Sequence, residues 1–179
     1  MNYYYFISSL PNLTLGKEMS VSYDEFMYSC KDILSDPLYS ELQNISLIPR
    51  NKVSCSAEKE WNAFETNLRN WCVRRRIHNT KHDPEKYLRE DLDLFASMEK
   101  DIEDALDSPN PLETEKRIDK LRWSALDNLM VRHEFDFNAI FIYLIRILIM
   151  QKWQGLDTEK GRAKLEGMMT NIIKKSEKE

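Results

Sequence analysis

Glycine and proline are scarce, with four and six in 179 residues. So few breakers leave little room for tight turns and point to long helices. Cysteine is scarcer still. Cys30, Cys55 and Cys72 are odd in number, widely spaced and without a CxxC pair, so they read as reduced thiols and not as a disulfide framework. No apolar run is long enough for a direct membrane span. The longest, Ala139 to Met150, is interrupted by Arg146 and falls short of the roughly 20 residues a span needs. It reads as a helix buried on most sides. Charge of one sign is also lacking: the net charge is −4 with both signs mixed, which argues against a general nucleic-acid binder. No GxSxG, P-loop, dinucleotide glycine pattern or HExxH occurs. An enzyme is therefore not expected.

What is present is 42% hydrophobic and 31% charged, too apolar for a disordered chain and enough for one ordinary domain over residues 1–179. The polar loop at 47–56 is the best place for a subdomain boundary. Residues 1–21 read as an extended arm punctuated by Pro11, Asn12 and Gly16. Ser22 and Glu25 have the spacing of a capping box, so a helix starts there, with Tyr23, Phe26, Met27, Cys30, Ile33 and Leu34 on one face. Asp36-Pro37 opens a short second helix with Leu38, Leu42 and Ile45 inward. Ala57 to Ile77 carries a stripe of Trp61, Phe64, Leu68, Trp71 and Cys72. Asp83-Pro84 predicts a fourth helix along Leu88, Leu92, Phe95, Met98, Ile102 and Leu106. Ser108-Pro109-Asn110-Pro111 ends it and starts a fifth helix, with Ile118, Leu121, Ala125 and Leu129 inward. Asp136 caps a sixth, Phe137 to about Trp153, and a last one runs from Asp157 or Thr158 through Ile173 before a charged tail. The fold class is all-α, a bundle of about six or seven helices with an extended aromatic N-terminal arm.

That arm opens Tyr3-Tyr4-Tyr5-Phe6-Ile7-Ser8-Ser9-Leu10-Pro11. No basic region precedes it and three tyrosines make a poor signal-peptide core. Five bulky groups call for a cover, from this chain's own helices or from another chain. If the arm is extended, alternation turns Tyr3, Tyr5 and Ile7 inward and leaves Tyr4 and Phe6 for a partner.

Other polar groups have a functional and a plain reading. His78 and His82 could share a zinc ion, but no third ligand accompanies them and Asp83 has a capping task, so no metal is expected. His133 suits a helix end. The acidic residues from Glu90 to Asp107 read as a solvated helix face, although paired carboxylates can serve as acid and base. Arg74-Arg75-Arg76 could meet an acidic protein or nucleic acid. As cations at a helix C-terminus they also suit its dipole, and the acidic fourth helix can neutralise them. Arg146, inside an apolar helix, needs a partner: Asp127 or Glu134 within the chain, or another protein.

Three stretches carry a family resemblance. They are the opening Tyr3 to Pro11; Phe64-Glu65-Thr66-Asn67-Leu68-Arg69-Asn70 leading to Arg74-Arg75-Arg76; and Phe135-Asp136-Phe137-Asn138-Ala139-Ile140 followed by Arg146, Trp153 and Gly155. In these the chain resembles a family of uncharacterised bacterial proteins encoded among the genes of V-type (A/V-type) ATPases, in the place where the connector subunit of such an ATPase would be expected. That connector is helical and funnel-like, and it seats the central stalk on the membrane ring. The Asp136-x-Asn138 step followed by Arg146 also resembles an Asp-x-x-Asn-(apolar)-Arg pattern of the connector, though this chain is shorter than the connector's usual three domains.

The resemblance implies a non-catalytic component of a V-type ATPase with no cofactor, a connector or assembly factor whose partners are stalk or ring subunits. Such a protein is expected to be cytoplasmic and peripheral on the inner membrane through its complex. The partner-binding residues expected are Tyr4, Phe6, Arg74, Arg75, Arg76 and Arg146. The alternative is a helical adaptor that binds nucleic acid or an acidic protein through Arg74 to Arg76; a third reading is a metal-dependent hydrolase around His78 and His82.

Overall fold

The computed structural model describes residues 3–77, 83–90, 99–154 and Met168. Among them the chain is all-α, with seven helices and no strand. In order these are α1 (Tyr4–Ser9), α2 (Tyr23–Lys31), α3 (Asp36–Gln43), α4 (Ser56–Ile77), α5 (Glu99–Leu106), α6 (Pro111–Met130) and α7 (Phe137–Gln154). A single 3-10 turn, Pro84–Lys86, lies between α4 and α5.

α7 is the centre of the packing. Every residue from Ala139 to Ile145 is buried, as are Ile147, Ile149 and Met150. A helix apolar on all sides must be enclosed on all sides, and α2, α4 and α6 enclose this one, while α5 pairs with α6 in a hairpin and touches α4. The cluster that results runs from Tyr3 to Met150 and includes buried residues on both sides of the 47–56 loop. No helix among the described residues is long and apolar enough to cross a membrane.

The arm corrects one expectation. It begins as a short helix and not as an extended strand, so its inward face follows the helical period. Tyr3 and Phe6 are buried with Ile7 partly so, whereas Tyr5 is 88% exposed and Tyr4 49%. The arm docks on this chain. The Tyr3 N–H donates to the Phe135 carbonyl at 2.8 Å. Phe6 stacks on Phe26 at 6.2 Å, Phe26 meets Tyr143 at 5.1 Å, and the Tyr143 hydroxyl donates to the Pro11 carbonyl at 2.7 Å. Three aromatic layers thus lead from α1 through α2 to α7.

The fourth helix also starts later than its sequence predicts. Asp83 does accept the Glu85 N–H at 3.1 Å, but only the 3-10 turn follows, and residues 87–90 are not helical. Asn70 explains the break. Its side-chain amide donates to the Arg89 carbonyl at 2.8 Å and accepts the Arg89 N–H at 3.0 Å. Both backbone groups of Arg89 are satisfied from α4, so no helix is needed to pair them. Leu92, Phe95, Met98 and the last helix through Ile173 lie outside the described residues, Met168 excepted.

The expected caps form. Ser22 and Glu25 make the reciprocal capping box, and Asn110 caps α6 ahead of Pro111. The 47–56 loop is pinned by Glu58, which is 2% exposed. Glu58 accepts from the Arg50 guanidinium, from the Ser54 N–H at 2.7 Å and from the Ser54 hydroxyl at 2.6 Å. Burial alone would raise its pKa, but these donors outweigh it and hold the carboxyl below its ordinary range. A depressed folded pKa means that the unfolded chain takes up this proton first. Its stabilisation is therefore complete above the unfolded carboxylate pKa of about 4.3 and is lost as pH falls through the folded one. Urea unfolding from pH 7 to pH 3 should show this loss, and Glu58→Gln should remove about 1–3 kcal/mol at pH 7 and flatten the acid limb.

Candidate functional site

On α4, Glu65 falls between Trp61, Phe64 and Leu68, at a core position where a charge is out of place. On α6, Asp119 and Arg122 likewise sit among Ile118, Ala125 and Leu126. The fold brings the three together. Arg122 donates to Glu65 through two nitrogens, Nη2 at 2.7 Å and Nε at 2.9 Å, and through Nη1 to Asp119 at 2.8 Å. Arg69, one turn along α4, adds a 2.9 Å contact to Glu65. From the end of α7, Trp153 Nε1 donates to Asp119 at 2.6 Å and Lys152 approaches it at 2.7 Å while also pairing with Glu115. Glu65 and Asp119 are 0% and 1% exposed. Burial opposes the charge on Arg122, but the hydrogen bonds and charges of Glu65 and Asp119 outweigh it and raise its pKa. The network joins α4, α6 and α7 with every carboxylate matched by a cation.

Arg146 finds an internal partner of the same kind. Its Nη2 donates to Asp127 on α6, and its guanidinium lies over the Trp123 ring at 5.4 Å. Of the two carboxylates offered by the sequence, Asp127 is the one used. Burial lowers the Arg146 pKa despite that partner.

Asp136 and Asn138 form a third constellation. Asp136 accepts the Ala139 N–H at 3.2 Å and so caps α7; it also accepts from Asn138 Nδ2 at 2.8 Å and faces His133 Nδ1 at 3.1 Å. Asn138 turns its oxygen to the start of α4, taking the Ala57 N–H at 2.9 Å and the Ser56 hydroxyl at 3.0 Å. One short step in the sequence therefore caps two helices and holds their N-termini side by side.

The expected partner-binding residues scatter. Tyr4 stands at a surface corner, 4.6 Å from the Phe135 ring and 5.5 Å from Tyr5. Phe6 is in the core and turns away from any partner, because the helical period places it beside Tyr3. Arg74 lies over Trp71 at 5.3 Å, and Arg75 pairs with Asp107 just beyond α5, so the acidic segment does neutralise part of the basic run. Arg76 is exposed on the last turn of α4. Arg146 is engaged within the chain. Glu99, Asp101, Glu103, Asp104 and Asp107 are all exposed, as a solvated face requires. His78 and His82 lie outside the described residues, among which no three His, Cys, Asp or Glu side chains are grouped to hold a metal ion. Burial pushes the Cys30 thiol up to about 12, the opposite of an activated nucleophile.

The fold and these sites define an all-helical protein whose buried charges are matched internally and whose aromatic groups partly surface at one corner. Residues 88–179 match the family described as "Protein of unknown function (DUF2764)", and the chain belongs to that family. The match covers α5, α6 and α7, and with them Asp119, Arg122, Asp127, Asn138 and Arg146. No curated protein and no solved structure matches the chain.

Arg122→Met should cost up to about 3–5 kcal/mol, because buried Glu65 and Asp119 would lose the cation they share and keep only Arg69 and Lys152 at the edges of the network. Adding Glu65→Met to that variant should recover part of the loss. Chemical denaturation of the two variants measures both effects.

Proposed function

We propose that this chain is a non-catalytic component of a bacterial V-type ATPase, similar in role to the connector between stalk and ring or acting in assembly, and held through helix surfaces to stalk or ring subunits. In that role it is cytoplasmic and peripheral on the inner membrane. The observation that carries the reading is the aromatic corner. Tyr4 and Tyr5 stand 49% and 88% exposed, with Tyr4 against Phe135. Tyrosine is favoured at protein interfaces because a rigid ring brings contact area and a hydroxyl at small entropic cost. The corner also unites two of the three stretches that resemble the ATPase-linked family. Rigid supports lie under it: Tyr3 is tied to Phe135, and Asp136 and Asn138 cap α7 and α4 close by in the chain.

The adaptor reading through Arg74 to Arg76 has less support. Trp71 and Asp107 engage Arg74 and Arg75, and the net charge is −4. A tagged chain purified from its native membranes should bring down V-type ATPase stalk or ring subunits, and the Tyr4→Ala, Tyr5→Ala double variant should recover several-fold less. A folded wild-type chain that brings down none of them would overturn the proposal.

A further inference from the structure

A cavity of about 540 Å³ lies between the turn at residues 14–17, one face of α6 and the end of α7. That volume falls within the range of small-molecule sites, about 300–1,000 Å³. Its shape is built in. The Lys17 N–H closes the turn onto the Thr14 carbonyl at 3.1 Å, and Gly16 takes the positive φ of 83° that such a turn demands. Trp123 and Trp153 both line the space and are both anchored, the first by Arg146 above its ring and the second by its bond to Asp119.

The charges around the cavity are unequal in what they leave available. Asp119 is saturated by Arg122, Lys152 and Trp153. Asp127 holds Arg146. Lys116 leans on Glu113 at 2.9 Å, on the exposed side of α6. Lys120, one turn further along, makes no ion pair and no side-chain hydrogen bond among the described residues, and its charge reaches Glu113 only at longer range, where Lys116 is the main partner. A cationic ligand would find Asp119 taken and Asp127 shared with Arg146, whereas an anionic one would meet the Lys120 ammonium beside two indole rings.

We propose that this cavity binds a small aromatic anion, its flat body against Trp123 and Trp153 and its negative group at Lys120, with Lys116 alongside. Indole rings favour flat aromatic surfaces in offset or edge contacts, and a compact ammonium accepts carboxylate, sulfonate or phosphate without a fixed geometry. The shared chemistry covers nucleotides and aromatic carboxylic acids, and none of it depends on the ATPase reading.

Two probes distinguish the sources. Adenosine monophosphate and indole-3-acetate are titrated separately into the full chain, with calorimetry and tryptophan fluorescence as readouts. Saturable one-to-one binding of either supports the proposal, and the tighter probe names the source. Lys120→Glu reverses the charge at an exposed position and should weaken binding by about tenfold or more. Ser124→Phe, which fills the cavity from its exposed rim, should do the same. Lys31→Glu on α2 should change nothing. Thermal unfolding of each variant verifies the fold. Failure of both probes to saturate by about 1 mM overturns the proposal, and so does unchanged binding in folded Lys120→Glu and Ser124→Phe.

Discussion

Arg122 meets Glu65 through two parallel hydrogen bonds at the heart of the bundle, and much else depends on that contact. α7 is apolar all round, so the helices that enclose it must turn their inner faces to it. Glu65 and Asp119 lie on those inner faces and cannot reach water. Arg122, with Arg69 and Lys152 beside it, makes their burial tolerable. The contact therefore sets how α4 and α6 are rotated against each other. A slip of one residue along α6 would swing Arg122 by about 100° and carry it out of reach of Glu65. Lys152 and Trp153 extend the same constraint to α7, because both end on Asp119. Further along α6, Asp127 repeats it with Arg146 of α7, and Trp123 is a second support.

Local chemistry makes most helix starts legible. Ser22 with Glu25, Asp36-Pro37, Asn110-Pro111 and Asp136 all mark starts that the chain uses, since capping depends on neighbours a few residues away. The aromatic arm escapes a sequence reading for an equally physical reason. A run of five bulky residues has no polar position to report its period, and the strand and helix readings differ only in which ring turns inward. The burial of Phe6 beside Tyr3 follows from contacts with Phe26 and Phe135, which are distant in sequence. The stretch after Asp83 escapes similarly, because Asn70 satisfies Arg89 from another helix. Glu65, Asp119 and Arg122 do leave a signal: charges at core positions of otherwise apolar stripes. Their meeting one another is a property of the packing, which no local pattern reports.

The residues behind the family resemblance gain physical tasks. Asn70 holds Arg89, Asp136 caps α7, Asn138 caps α4, and Arg146 neutralises Asp127. Each of these tasks is architectural and lies within the chain. Against that rigid background Tyr5 stands out, almost wholly exposed at the corner where α1 meets the turn before α7. The most direct measurement is photo-crosslinking from that surface: Tyr5 replaced by p-benzoylphenylalanine in the native cell, irradiated, and the products identified by mass spectrometry. Cross-links to a stalk or ring component of the V-type ATPase are the expected result. A folded, irradiated chain that yields cross-links only to unrelated proteins, or none, would contradict the proposed role.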